Sequence, residues 1–147
     1  MMTATAILER LPYSHPFLFV DGLDHVDADK VTGHFTFRKD MEVYNGHFRD
    51  YPVTPGVLLT ETMAQIGVVC LGIYLMGDDM PHHAFALTST EVEFLLPVLP
   101  GEKVTVTGEK IYFRFGKLKC RVMMQNEAGE EVCSGIIAGM IINRKDA

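Results

Sequence analysis

The chain has 147 residues, 48% of them apolar and 22% charged, and a formal net charge of −6. That length is enough to bury a core without staples, and the apolar share is that of a globular protein. An acidic balance with no Lys/Arg-rich run argues against nucleic-acid binding.

From the N-terminus, Thr3 to Arg10 predicts a short helix, and Met1 to Arg10 lacks the basic start and long apolar run of a secretory signal. Pro16 to Asp21 is a compact apolar run closed by the turn-prone Asp21-Gly22. Between Val31 and Arg38, Val31, Gly33, Phe35 and Phe37 alternate with Thr32, His34, Thr36 and Arg38, which predicts a strand with one buried face.

The segment from Gly56 to about Met76 predicts the one long helix. Thr54 is expected to cap it, with Pro55 at the first helical position, where a missing N–H costs nothing. Apolar residues cover nearly the whole circumference, so burial on most sides is expected. Glu61 and Gln65 lie four apart and share a face. Gly67 and Gly72 lower helix propensity, which predicts close approach by other backbone. Gly77-Asp78-Asp79 should end the helix, with Pro81 following. The longest uninterrupted apolar run, Ile66 to Met76, falls short of the ~20 residues of a membrane span.

Beyond this, strands are expected over Ala84–Leu95, Lys103–Phe115, Lys117–Asn126 and Glu131–Asn143. The breaks are Pro97-Val98-Leu99-Pro100-Gly101, Gly116 and Glu127-Ala128-Gly129, and such short links favour antiparallel neighbours. One apolar helix followed by antiparallel strands predicts an α+β domain spanning residues 1–147, its curved sheet wrapped around the helix. Cys70, Cys120 and Cys133 match neither a disulfide framework nor a zinc pattern, so reduced thiols in a soluble, cytoplasmic protein are expected. Cys70 reads as a small hydrophobe.

The stretch Gly46 to Gln65 gathers the chemistry. His47 lies in a loop, Pro55-Gly56 starts the helix nine residues after Gly46, and Glu61 falls one turn inside it. Removing a proton α to a carbonyl needs a base, and His47 has the ordinary pKa for it. A departing β-hydroxyl needs an acid, which Glu61 supplies if burial keeps it protonated. The Gly56 N–H, with the helix dipole behind it and no Cβ in front, suits a developing oxyanion. Gln65 would orient Glu61.

These residues resemble a known family. Leu11-Pro12, Pro16-Phe17-Leu18-Phe19-Val20-Asp21, Gly46-His47-Phe48, Pro52 to Leu58, Glu61-Thr62-Met63-Ala64-Gln65 and Pro97 to Glu102 are similar, in order, to hot-dog-fold 3-hydroxyacyl-[acyl-carrier-protein] dehydratases of fatty acid synthesis. The resemblance covers roughly residues 11 to 142. It implies a homodimer, with trimers of dimers as a further assembly, and a site at the dimer interface joining His47 of one copy to Glu61 of the other. It implies no cofactor and no metal, and a 3-hydroxyacyl chain on phosphopantetheine that leaves as a trans-2-enoyl thioester.

Phe85 falls where the family often carries an aromatic closing the acyl tunnel, though a plain core residue fits as well. Lys103, Lys110, Arg114, Lys117, Lys119 and Arg121, with only Glu109 opposing them, form a candidate docking surface for acidic carrier protein or else a solvated face. His15, His25 and His34 read as solvated or backbone-satisfied. His82-His83 has no third metal ligand at a recognised spacing. The nine methionines suit a flexible acyl-binding interior as well as an ordinary core.

Three departures from the family pattern leave the pathway open: Arg49-Asp50 after the Gly-His-Phe motif, Leu95-Leu96 before Pro97, and Ser14-His15 before Pro16. The same dehydration in polyene, pigment or polyketide synthesis is an alternative. An acyl thioesterase and a non-catalytic acyl-binding partner subunit are two further ones.

Overall fold

The computed structural model describes residues 2–78 and 83–143. Helix α1 (Ala4–Glu9) begins where Thr3 Oγ1 accepts from the Ala6 N–H, and its Ile7 is fully buried. Strands β1 (Gly22–Val26) and β2 (Lys30–Thr36) follow, then a 3-10 turn over Glu42–Asn45. The central helix runs from Gly56 to Met76 and carries a π-helical stretch, Gln65–Cys70, between α-helical halves. Strands β3 (His83–Phe94), β4 (Lys103–Arg114), β5 (Lys117–Gln125) and β6 (Glu131–Asn143) complete the chain.

All six strands form one sheet in the order β1-β2-β4-β5-β6-β3, each neighbouring pair antiparallel. The middle of the helix touches β2, β4, β5 and β6, so the sheet curls around it as the hot-dog resemblance implies. Side chains at alternate positions supply the lining: Val31 and Phe35 from β2, Val104 and Val106 from β4, Leu118, Cys120, Val122 and Met124 from β5. Phe19, Phe35 and Phe37 meet edge to face, with centroids 5.6 and 4.9 Å apart, and this tethers the N-terminal segment to the sheet.

Several expectations change. Strand β1 lacks the alternation that would have marked it, because it is an edge strand with two exposed residues. Strand β3 pairs with β6 and not with its chain neighbour β4. The 95–102 link, with Pro97 and Pro100, makes no tight hairpin; its Val98 is buried and its carbonyl accepts from the Thr54 N–H at 2.9 Å. The helix is 21 residues long and apolar enough to cross a membrane by length and composition, since Glu61 and Gln65 interrupt the apolar run without interrupting the helix. It is nonetheless a core helix, with 72% of its apolar window buried inside the fold. Gly67 does meet backbone: the Cα of Gly108 lies 3.6 Å from where a Gly67 Cβ would stand. Gly72 instead makes room for the Phe85 ring. Gly77 ends the helix with φ +63°, while Asp79, Pro81 and His82 lie outside the described residues.

Candidate active site

The helix starts at Gly56, as its sequence suggests, but Pro55 is not inside it. Pro55 is the N-cap and Gly56 the first helical residue, with no side-chain cap. Thr54 is buried and its hydroxyl hydrogen-bonds Tyr44 Oη at 2.6 Å, so it bolts the preceding loop and does not cap the helix. Among the described residues no acceptor takes the Gly56 N–H, as expected for a first-turn amide. The Phe94 ring from the end of β3 lies 3.3 Å from where a Gly56 Cβ would be, so the exposed amide sits beside an aromatic wall.

His47 is held by its own loop. Its Nδ1 lies 2.8 Å from the Val53 carbonyl oxygen, and the Val53 N–H donates back to the His47 carbonyl at 2.9 Å. A carbonyl can only accept, so Nδ1 carries the proton and Nε2 of the neutral ring keeps a bare lone pair. That is the tautomer a general base needs. The ring is half-buried and stacks on Phe48 at 4.1 Å, across a cis peptide bond.

Glu61 and Gln65 are joined directly. Gln65 is fully buried, and its Nε2 donates to Glu61 Oε2 at 2.9 Å and to the Phe17 carbonyl at 3.0 Å. Its Oε1 accepts from the Phe19 N–H at 2.8 Å. Burial pushes the Glu61 carboxyl above the usual carboxylate range, and the Gln65 donor only partly opposes it. The carboxyl is thereby biased toward holding a proton. Leu58, one turn earlier on the helix, lines an open cleft of about 510 Å³ with Phe17, Phe19 and Phe35. No hydrogen bond or ion pair joins His47 to Glu61 within the chain, among the described residues.

The other candidates separate. Phe85 packs on Gly72 and Gly139, eleven positions beyond Glu61, roughly 16 Å along the helix. Arg114 and Lys119 lie over the Tyr112 ring at 4.4 and 5.9 Å, and Lys117 pairs across from Arg114 at the β4–β5 turn. Lys110 is 3.5 Å from Asp29, and Arg121 pairs across from Glu109. Lys103 begins β4, eleven residues before Arg114 and hence roughly 36 Å away along the strand. Lys117, Lys119 and Arg121 alternate along one face of β5 with Arg114 paired across from Lys117, so these four share a patch and Lys103 lies far from it.

His25 is exposed, as expected of a solvated histidine, and both it and His34 face carboxylates, Asp27 at 2.7 Å and Asp24 at 3.1 Å, and not backbone groups. The His83 side chain and His82 lie outside the described residues, among which no group of three potential ligands could hold a metal. All three cysteines are buried; burial raises each thiol, Cys120 and Cys133 to about 12, so none is a thiolate nucleophile. Sequence reasoning missed Tyr13, whose phenol pKa is pushed up first by burial and then by the Glu61 charge, and the Tyr44 and Phe94 contacts. Both tyrosines and Phe94 come from segments whose proximity depends on the tertiary fold.

A family model described as a FabA-like domain matches residues 11–137. A 3-hydroxyacyl-[acyl-carrier-protein] dehydratase FabZ from Bacillus licheniformis is 34% identical over 134 residues, covering 90% of this chain and 91% of that protein. Among solved structures, the dehydratase heterocomplex ApeI:P from Xenorhabdus doucetiae superposes with a TM-score of 0.79 at 14% identity, over 99% of this chain and 95% of that one. The fluoroacetyl-CoA thioesterase FlK superposes with a TM-score of 0.68 at 22% identity, over 84% of this chain and 93% of its own. At such identities the two structures share the fold.

Proposed function

Because the chain belongs to the FabA-like domain family, we propose that it is a hydro-lyase that removes water from a 3-hydroxyacyl thioester carried on acyl carrier protein, giving the trans-2-enoyl thioester. The observation that carries this reading is a base and an acid prepared in complementary states. His47 presents an unprotonated Nε2, and Glu61 is held by Gln65 where burial favours its protonated form.

In the reaction, Nε2 of His47 takes the α proton, and the Val53 carbonyl stabilises the imidazolium through Nδ1–H. Negative charge moving onto the thioester oxygen is met by the Gly56 N–H at the helix start. Glu61 protonates the β-hydroxyl as the C–O bond breaks, and water departs. A proton passing from His47 to Glu61, directly or through solvent, restores both groups. Atoms and charges balance with side chains alone. Phe85 would bound the acyl chain, and Arg114, Lys117 and Lys119 would meet the acidic carrier.

The site is assembled from two copies of the chain. Among the described residues no hydrogen bond or ion pair links His47 to Glu61 within one protomer and no strand pairs the outer edge of β3, with Leu87 to Glu91 exposed along it. A long bare edge of this kind is covered in a stable protein. Phe17, Phe48, Tyr51 and Val57 also stand exposed around the two candidate groups.

The test mixes two inactive variants, His47→Ala and Glu61→Gln, after unfolding and refolding them together. A shared site leaves one intact centre in every mixed dimer, so about a quarter of wild-type enoyl hydration returns. No recovery places both groups in one chain and removes the dimer reading. Release of free thiol from a saturated acyl thioester, with no hydration of an enoyl one, would favour a thioesterase instead.

A further inference from the structure

We propose that Tyr44 is a positioning residue for this reaction: its hydrogen bond to Thr54 fixes one short strut that carries both the carbonyl holding His47 and the Gly56 amide. The inference rests on the dehydratase reading above and assigns a role to two residues outside the His47–Glu61 pair.

The strut is the chain from Val53 to Gly56. The Val53 carbonyl accepts from His47 Nδ1 at 2.8 Å, and the Val53 N–H donates to the His47 carbonyl at 2.9 Å. Gly56, three residues on, is the first residue of the helix. Pro55 lies between them at φ −58° and ψ 136°, and its ring confines Thr54 before it to extended conformations. The segment is therefore stiff. A shift of Thr54 moves the anchor of the base and the oxyanion donor together.

Thr54 is held at two points. Its N–H donates to the carbonyl of buried Val98 at 2.9 Å, and its hydroxyl meets Tyr44 Oη, ten positions earlier in the chain, at 2.6 Å. Tyr44 lies in the 3-10 turn Glu42–Asn45, which leads directly into His47. The His47 N–H in turn donates to the Val43 carbonyl at 3.1 Å. The side-chain bond thus closes the base of the loop that carries His47. Residues 48–52 of that loop are all exposed, so its place depends on the bonds at its two ends.

Among the described residues three polar side chains are buried: Thr54, Thr62 and Gln65. Thr62 donates its hydroxyl to the Leu58 carbonyl on its own helix, and Gln65 holds Glu61. Thr54 has the Tyr44 phenol. Burial pushes that phenol up, with the Thr54 bond opposing and the Glu102 charge adding, so it stays protonated. Valine and phenylalanine would fill the same space and leave no polar group unmatched, at little cost in stability. What the hydroxyl pair adds is a fixed distance and direction.

The experiment compares Tyr44→Phe, Thr54→Val and the double variant. Each single change orphans one buried hydroxyl, so the melting temperature should fall, and the double variant should recover it. Activity should not follow. We expect kcat about tenfold lower in all three, with KM nearly unchanged. Thr54→Ser, which keeps the hydroxyl, should recover most of the rate lost in Thr54→Val. A kcat that returns with the melting temperature in the double variant reduces the pair to packing and overturns the proposal. Unchanged kcat in the single variants overturns it too, as does a loss of about a hundredfold in the double, the mark of two residues acting separately.

The second readout is nitrogen NMR of labelled histidine, with His47→Asn identifying the resonances. Wild type should carry the neutral-ring proton on Nδ1, and in Tyr44→Phe it should pass in part to Nε2 as the Val53 carbonyl moves. This needs no turnover, so it separates failure of this inference from failure of the dehydratase reading. An identical tautomer in wild type and Tyr44→Phe overturns the inference whether or not the protein is a dehydratase.

Discussion

Gln65 holds Glu61 by a 2.9 Å hydrogen bond to Oε2 while its other two contacts reach back to Phe17 and Phe19, nearly fifty residues earlier in the chain. The acid is thus positioned by the fold of the N-terminal segment as much as by its own helix. Gln65→Leu keeps the volume but orphans the Phe19 N–H and the Phe17 carbonyl. We expect a loss of roughly 2–4 kcal/mol in urea unfolding, together with most of the activity. A loss under about 1 kcal/mol would mean that the 17–19 segment swings out to water and is not held in place by this amide.

Glu61 sets activity against stability. Burial raises its folded-state pKa above the unfolded value, so the folded protein binds more protons between the two. Stability from this group is complete below the unfolded pKa and is lost as pH rises through the folded one. At neutral pH and above, the carboxylate is a cost. Glu61→Gln should therefore melt higher than wild type at pH 8, with the difference closing toward pH 4, while activity falls by about 10²–10⁴-fold. A variant that melts lower at pH 8 would contradict the sign.

For His47 the informative substitution is asparagine. His47→Asn can still offer an N–H toward the Val53 carbonyl, so the loop stays closed and the melting temperature stays near wild type. It has no basic lone pair, and the rate should fall about 10²–10⁴-fold. Activity within tenfold of wild type would remove His47 from the proton abstraction.

Much of this was legible in the sequence, and the failures have physical causes. The turn residues at Gly116 and Glu127-Ala128-Gly129 placed β4, β5 and β6 to within a residue at each end, because such breaks are local in the chain. Strand β1, an edge strand lacking alternation, left no signal. The His47-to-Gln65 spacing indicated a base, a helix start and an acid because all three are local in the chain. Short links suggest adjacent strands, but the buried Val98 and two prolines carry the chain past β4's neighbours instead, so β3 lies on the far edge. The six basic residues looked clustered because sequence distance hides extension: a strand spreads twelve residues over most of the molecule. Phe94 beside Gly56 is a long-range contact, which no local pattern encodes.

Two glycines, Gly108 and Gly72, should respond differently to a methyl group. At Gly108 in β4, an added Cβ would run into the carbonyl oxygen, Cα and carbonyl carbon of Gly67 on the central helix. Backbone cannot rotate away, and Val122 holds the helix from the next strand, so the helix must lift off the sheet. Gly108→Ala should cost roughly 1–3 kcal/mol or more by denaturant midpoint. At Gly72 the three atoms nearest the added carbon all belong to the Phe85 ring, a half-buried side chain near the start of β3. The ring can turn aside, so Gly72→Ala should cost clearly less than Gly108→Ala. Because Phe85 is the residue proposed to bound the acyl chain, its displacement should show instead as an altered preference among enoyl chain lengths. If Gly72→Ala proves the more destabilising of the two, Phe85 is locked in the core, and the chain-length role assigned to it falls.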